Sequence, residues 1–282
     1  MAAKRTRTKS RTATKRSRTT AARRVPSKAP ARVTAPRSVT WELALAWRLS
    51  RQLLGAPEKR SVAEVVRRLV GVQAQVASSA ELAVRMRRAT SRPGDVTRAL
   101  AQGHVLETWA MRGTLHLLAP ENAADFLALL ADGRSWEKPI WQRYFGVTPK
   151  HWKVLRPAVR DALASGALTR EELAAAITAT RGLRHLGEAL LSGWGTLLKP
   201  LAWQGDLCFG PSRGNRVTFM RPEVASSRWG GVVEVAAAAP RAVAAYLRAY
   251  GPATAQSFGN WLLRGALASA RCRRGSTRSV IG

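Results

Sequence analysis

Cysteine is nearly absent: Cys208 and Cys272 are the two in 282 residues. So few exclude a disulfide framework or a zinc site of the CxxC kind, and they fit a reducing compartment such as the cytoplasm. The four histidines, His104, His116, His151 and His185, show no metal-ligand spacing, so no metal or other cofactor is expected. No apolar run reaches the ~18–20 residues that a membrane-crossing helix needs, and a membrane partner is not expected. Aromatics make up 6% of the chain, while Leu, Ala and Val are plentiful, which favours helix over a β sandwich. Acids are scarce, with 17 Asp+Glu against 47 Lys+Arg and a formal charge of +30.

That imbalance points to a polyanionic partner, nucleic acid first. Residues 1–37 hold thirteen bases and no acid. They contain none of the Leu, Ile, Phe or Trp that an amphipathic presequence needs, so residues 1–39 are expected to be a disordered, DNA-contacting tail. The remainder is also basic, so the partner is not left to the tail alone. The length suits roughly two domains at about 100–200 residues each.

Along the body, Thr40 precedes "WELALAWRLSRQLLG" as an N-cap, with Gly55 closing that helix. Ser61 and Glu64 form a capping box ahead of "VAEVVRRLVGVQAQ". A third helix is expected from about Ser79 and a fourth in "DVTRALAQG". "HVLETWAMRGTLHLLAP" follows as a strand pair, with Val105, Trp109, Met111, Leu115 and Leu117 on one face, and Pro120 starts the next helix. The second half repeats this grammar: a capping box at Thr169 and Glu172, one or two helices in "LGEALLSGWGTLLKPLAWQG", and a hairpin in "DLCFGPSRGNRVTFMR". Helices followed by a hairpin is the winged-helix order, with the hairpin as wing. A third start, "RAVAAYLRAYGPATAQSFGNWLLR", is broken at Tyr250-Gly251-Pro252 and capped at Thr254, and then the pattern ends. The expected fold is mainly α with small β-hairpins (α+β), as tandem winged helices over 40–135 and 136–229, with an incomplete third over 230–282.

Three stretches carry chemistry. Gln73 and Gln75 stand two apart in an apolar run. In a helix they would project about 200° apart; in an extended segment or at a helix end they share a face. Ser78-Ser79 places a helix boundary near them, so the amides could converge. An amide donates and accepts hydrogen bonds but takes up no proton at neutral pH, which suits holding a water. Read in isolation, the pair is more simply two buried amides satisfying a loop. Arg112, Thr114 and His116 fall on the polar face of their strand, as a functional cluster or an ordinary solvated face. Arg213 and Arg216 flank the wing tip and Arg221 lies on its outgoing strand, where bases would contact phosphates. The ten tryptophans are read as packing residues, none assigned to base stacking.

Together "LVGVQAQVASS", "ETWAMRGTLHLLAP", "LAWQGDLCFGP" and "YLRAYGPATAQSFGNWL" resemble, in order and spacing, the winged-helix DNA glycosylases of the AlkZ/YcaQ type over residues 40 to 263. The resemblance implies tandem winged helices that excise alkylated bases or unhook interstrand crosslinks. It implies that Gln73 and Gln75 are the catalytic Gln-x-Gln pair, in the form linked to self-resistance against DNA-crosslinking natural products, and that Arg112, Thr114 and His116 sit near the cleft. It also implies that a complete third winged helix and a further β-rich segment are missing from the C-terminus. An N-alkylated purine is already cationic and leaves without a strong general acid, so placing water and steadying an oxocarbenium-like sugar remain to be done.

The expectation is therefore a monofunctional DNA glycosylase hydrolysing N-glycosidic bonds of alkylated purines in duplex DNA. It would be monomeric, nucleoid-associated in a bacterial cytoplasm, and free of a Schiff-base lysine near the Gln pair. The alternatives are a non-catalytic winged-helix DNA-binding protein or regulator, or a truncated, inactive homologue.

Overall fold

A computed structural model describes residues 38–263. The basic tail over 1–37, the stretch from 264 on and Cys272 lie outside the described residues. The described residues from Val39 to Leu263 form one unit.

Local signals start the helices where side chains can satisfy their first N–H groups. Thr40 Oγ1 accepts from the Leu43 N–H at 3.3 Å ahead of α1 (Trp41–Arg51). Ser61 and Glu64 complete a capping box on α2 (Val62–Arg68). β1 (Val72–Gln73), α3 (Ala77–Arg85) and α4 (Asp95–Ala101) follow, then β2 (Leu106–Trp109) and β3 (Leu115–Leu118). All pairings are antiparallel, in the order β1-β3-β2. α5 (Pro120–Ala131) begins at its proline, whose missing N–H needs no partner there.

The pattern then recurs. After α6 (Pro139–Phe145) come α7 (Pro149–Ala162), β4 (Leu168–Thr169) and α8 (Arg170–Ala179). α9 (Gly187–Leu191) and α10 (Leu198–Trp203) precede the hairpin of β5 (Cys208–Arg213) and β6 (Arg216–Met220). The second sheet runs β4-β6-β5, the same order as the first. Helix, short strand, helices, hairpin thus appear twice, and the fold is α+β, mostly helical, with two small winged-helix sheets. α11 (Pro222–Ala225), α12 (Val235–Tyr250) and α13 (Ala255–Leu262) complete the described chain.

The two halves are joined through apolar surface. α5 is buried along nearly all its length, packed on α12 and α10, with Phe126 and Leu127 inside. Burying each such side chain contributes about 1.5–3 kcal/mol. Asp125, buried on α5, takes the Arg241 Nε at 3.0 Å and so ties α5 to α12. β2 lies against β5, and Trp109 packs edge-on to Phe209 with ring centroids 4.7 Å apart.

Several boundaries differ from expectation. α3 starts at Ala77 rather than Ser79; its N-cap is Val76, without a side-chain hydrogen bond, and the serines lie within its first turn. α2 ends at Arg68, leaving Gln73 and Gln75 outside any helix. β2 and β3 do not continue through Met111: Met111–Gly113 is a tight 3-10 turn with Arg112 at φ +59°. Arg221 is not on the outgoing strand. It caps α11, and its Nε donates to the Arg160 carbonyl at 2.7 Å, closing the C-terminal end of α7.

Candidate active site

Val72 and Gln73 form a short strand, and the alternation of exposure runs on through Gln75. Val72 and Ala74 are buried, Gln73 and Gln75 exposed. The ladder continues past β1, because the Ala74 N–H donates to the Leu115 carbonyl at 2.8 Å. Period-two alternation therefore puts both amides on one face. Gln75 Oε1 accepts from the Leu115 N–H at 3.4 Å. The Gln73 side chain makes no hydrogen bond among the described residues, so it is neither buried nor used to satisfy a loop.

Strand register builds the rest of this face. Gln73 pairs with His116, and His116 with Thr108, so three strands contribute one row. Carrying the register on sets Gln75 opposite Thr114, whose Oγ1 donates to the Met111 carbonyl at 3.2 Å. His116 is 3% exposed, and its Nδ1 lies 3.0 Å from the Thr114 carbonyl. A carbonyl only accepts, so Nδ1 carries the hydrogen and Nε2 keeps its lone pair. Burial pushes the imidazole pKa down to about 4, helped by the Arg112 charge and opposed by the Thr114 carbonyl; the ring is neutral at pH 7. Thr108 Oγ1 is buried with no hydrogen-bond partner. The opposite register of "LETW" and "LHLL" was the signal that could have placed Thr108 in this row.

Arg112 does not belong to it. The tight turn takes it off the strand face, and its Nη1 donates to the Trp261 carbonyl on α13 at 2.9 Å. Lys199, which no sequence signal marked, stands beside the same turn: a Cβ added to Gly113 would lie 4.0 Å from Lys199 Nζ. Burial lowers the pKa of that amine. The nearest carboxylate along these strands, Glu107, points to the other face with Leu117, and burial raises its pKa. The row thus offers two neutral amides, hydroxyls and a neutral imidazole. It can orient water and a polar substrate but contains no ionised acid.

The wing bases divide. Arg213 Nη1 sits 2.9 Å from both carboxylate oxygens of Glu172, tying the hairpin to α8, while Arg216 has no side-chain partner among the described residues. With Arg221 engaged at α7, Arg216 is the one of these three arginines whose guanidinium has no partner among the described residues. Among the described residues no group of three His, Cys, Asp or Glu side chains could hold a metal ion, and no helix is long and apolar enough to cross a membrane.

Comparison with known proteins follows the same lines. An interstrand DNA cross-link repair glycosylase of Streptomyces sahachiroi is 47% identical over 216 residues, which span 76% of this chain and 58% of the relative. The solved structure of the Streptomyces sahachiroi DNA glycosylase AlkZ superposes with a TM-score of 0.78 at 43% identity, over 85% of this chain and 66% of that one. The chain thus covers less than two thirds of the length of the relative it matches. The family described as "DNA glycosylase AlkZ-like" matches residues 66–278, a span containing both sheets and the Gln pair, and the chain belongs to that family.

Proposed function

We propose that this protein is a monofunctional DNA glycosylase that hydrolyses the N-glycosidic bond of alkylated purines in duplex DNA, as a monomer acting on the bacterial nucleoid. The observation carrying the reading is the pair of exposed amides on one sheet face beside a neutral His116. Its similarity to a protein named for interstrand crosslink repair extends the proposal to crosslinked purines. Tandem winged helices over 40–135 and 136–229 would dock on the duplex, with Arg216 contacting a phosphate and a third unit beginning at 230.

The chemistry follows from the groups present. An N7- or N3-alkylated purine carries a positive charge, so the C1′–N bond breaks with its electron pair passing to the purine. No protonation of the leaving group is required, which suits a site without an ionised acid. Gln73 and Gln75 accept hydrogen bonds from a water and direct its lone pair to the electron-poor C1′. The new C1′–OH bond releases one proton to solvent, leaving an abasic sugar and neutral base. Fixed amide dipoles stabilise developing positive charge without reorganising. Thr114 orders the turn beside Gln75, and the His116 ring supports β3 behind Gln73.

The test is release of 7-methylguanine from alkylated DNA by purified protein and by a Gln73→Ala, Gln75→Ala double variant. Release by the first and not the second supports the proposal. A non-catalytic DNA-binding role draws on one observation, that Gln75 already serves the Leu115 N–H; it predicts no release from either protein and unchanged DNA affinity.

A further inference from the structure

Nine of the ten tryptophans pack against rings, core or a guanidinium. Even the exposed Trp41 and Trp47 lie under Arg48 and Arg51, at 5.5 and 4.9 Å. Trp194 is 82% exposed and has no ring or cation partner among the described residues.

Its turn, between α9 and α10, is firmly held. The Arg170 Nη1 donates to the Ser192 carbonyl at 3.0 Å, the Gly195 N–H closes onto the same carbonyl at 3.0 Å, and the Lys199 N–H takes the Gly195 carbonyl at 2.9 Å. Gly195 has φ +59°, and a Cβ there would stand 2.3 Å from the Trp109 ring, so the turn rests its bare backbone on that indole. Leu197, next in line, is fully buried. The structure therefore fixes the backbone on either side of an indole while leaving the indole in water.

The position matters as much as the exposure. Trp109 pairs with Leu115, and Leu115 with the segment bearing Gln75. Its indole alternates onto the face of Glu107 and Leu117, so the turn's platform lies about two strand spacings, ~10 Å, from that segment, at the same end of the sheet but on the face opposite the amides. Lys199, five residues on, stands beside the Gly113 turn with no carboxylate partner among the described residues. In the second winged-helix pattern this turn interrupts the helical stretch before the hairpin, the part that enters a DNA groove in such folds. A flat aromatic five residues from an unpaired cation, on a basic protein, matches stacking on a base with neutralisation of its phosphate.

We propose that Trp194 stacks on a DNA base left uncovered at the site of damage, and that Lys199 contacts the adjoining phosphate. This rests on the base-excision reading only for the source of the uncovered base. The probe is a fluorescein-labelled duplex carrying a tetrahydrofuran abasic analogue, compared with the same duplex intact, titrated with the full chain. Trp194→Ala is expected to weaken binding to the abasic duplex by about tenfold or more, with much less effect on the intact one, and Trp194→Phe to keep most of the preference. Lys199→Gln should weaken both duplexes and reduce the salt slope by about one. An unchanged melting temperature in Trp194→Ala, expected for so exposed a residue, separates the effect from misfolding. Equal loss on both duplexes, or none, overturns stacking. Release of 7-methylguanine by the unaltered protein is measured alongside. Release with undiminished abasic preference in Trp194→Ala removes this inference and leaves the glycosylase; lost preference without release does the reverse.

Discussion

Gln73 and His116 are register partners across β1 and β3, one in solvent and one 3% exposed. The exposed member's side chain has no hydrogen bond among the described residues, and the buried member is held as a neutral ring by the Thr114 carbonyl. An unbonded surface amide therefore stands on a rigid, uncharged support.

Gln73 and Gln75 should separate function from stability. Gln73→Ala is expected to lower the rate of base release by about 10²–10³-fold, the scale of losing one preorganised polar group. Its stability should stay within about 0.5 kcal/mol, because the side chain is exposed and unbonded. Gln75→Ala should lose activity and also about 1 kcal/mol from the missing Leu115 hydrogen bond. Single-turnover kinetics and urea midpoints measure both.

His116 gives a pH dependence. In the unfolded chain it titrates near 6.5, while in the fold its pKa is about 4. Above 6.5 both states are neutral and nothing is lost. Between 6.5 and 4 the unfolded state takes a proton that the folded state refuses, so stability falls with pH by on the order of 2–3 kcal/mol. Urea midpoints at pH 7 and 5 should diverge in the unaltered protein and converge in His116→Gln.

Thr108→Val should be neutral or stabilising by up to about 1 kcal/mol, because it replaces a buried hydroxyl that has no partner with a methyl of the same shape. Thermal melts decide. A clear loss of stability would mean that the hydroxyl is bonded to a buried water.

The wing arginines should behave differently from one another. Arg216→Ala is expected to weaken DNA binding regardless of sequence and to reduce the salt slope by about one. Arg221→Ala should leave that slope unchanged but cost roughly 1–3 kcal/mol, since it strips the Arg160 carbonyl of its donor. Salt-dependent anisotropy and melting temperature together separate the two.

Much of the fold was legible because side-chain chemistry announces it locally. Ser61 with Glu64, Thr169 with Glu172, and Pro120 start helices where their hydrogen-bonding capacity requires. The shared face of Gln73 and Gln75 could be stated as a consequence of extended backbone before the backbone was known. Parity failed at Arg112 because alternation assumes a continuous strand, and a turn with φ +59° breaks the count. Arg221 and Lys199 were opaque for another reason: a carbonyl at the end of α7 and a glycine turn are tertiary neighbours that no spacing records. Trp194 was read with the nine packing tryptophans because the sequence does not record which indoles a ring or cation covers.

The two sheets share a strand order, and their registers superimpose Gln73 on Thr169 and His116 on Thr218. Thr169 is completely buried and fastens the start of α8 with Glu172. At the matching joint in the first sheet, the helix begins later, after Val76, without a side-chain cap. A missing cap costs about 1 kcal/mol. Released from that fastening duty, the same lattice point reaches water with an amide. The position of Gln73 is thus a structural hinge pin withdrawn from one copy of a doubled architecture, while the other copy keeps its pin and holds its own joint firm.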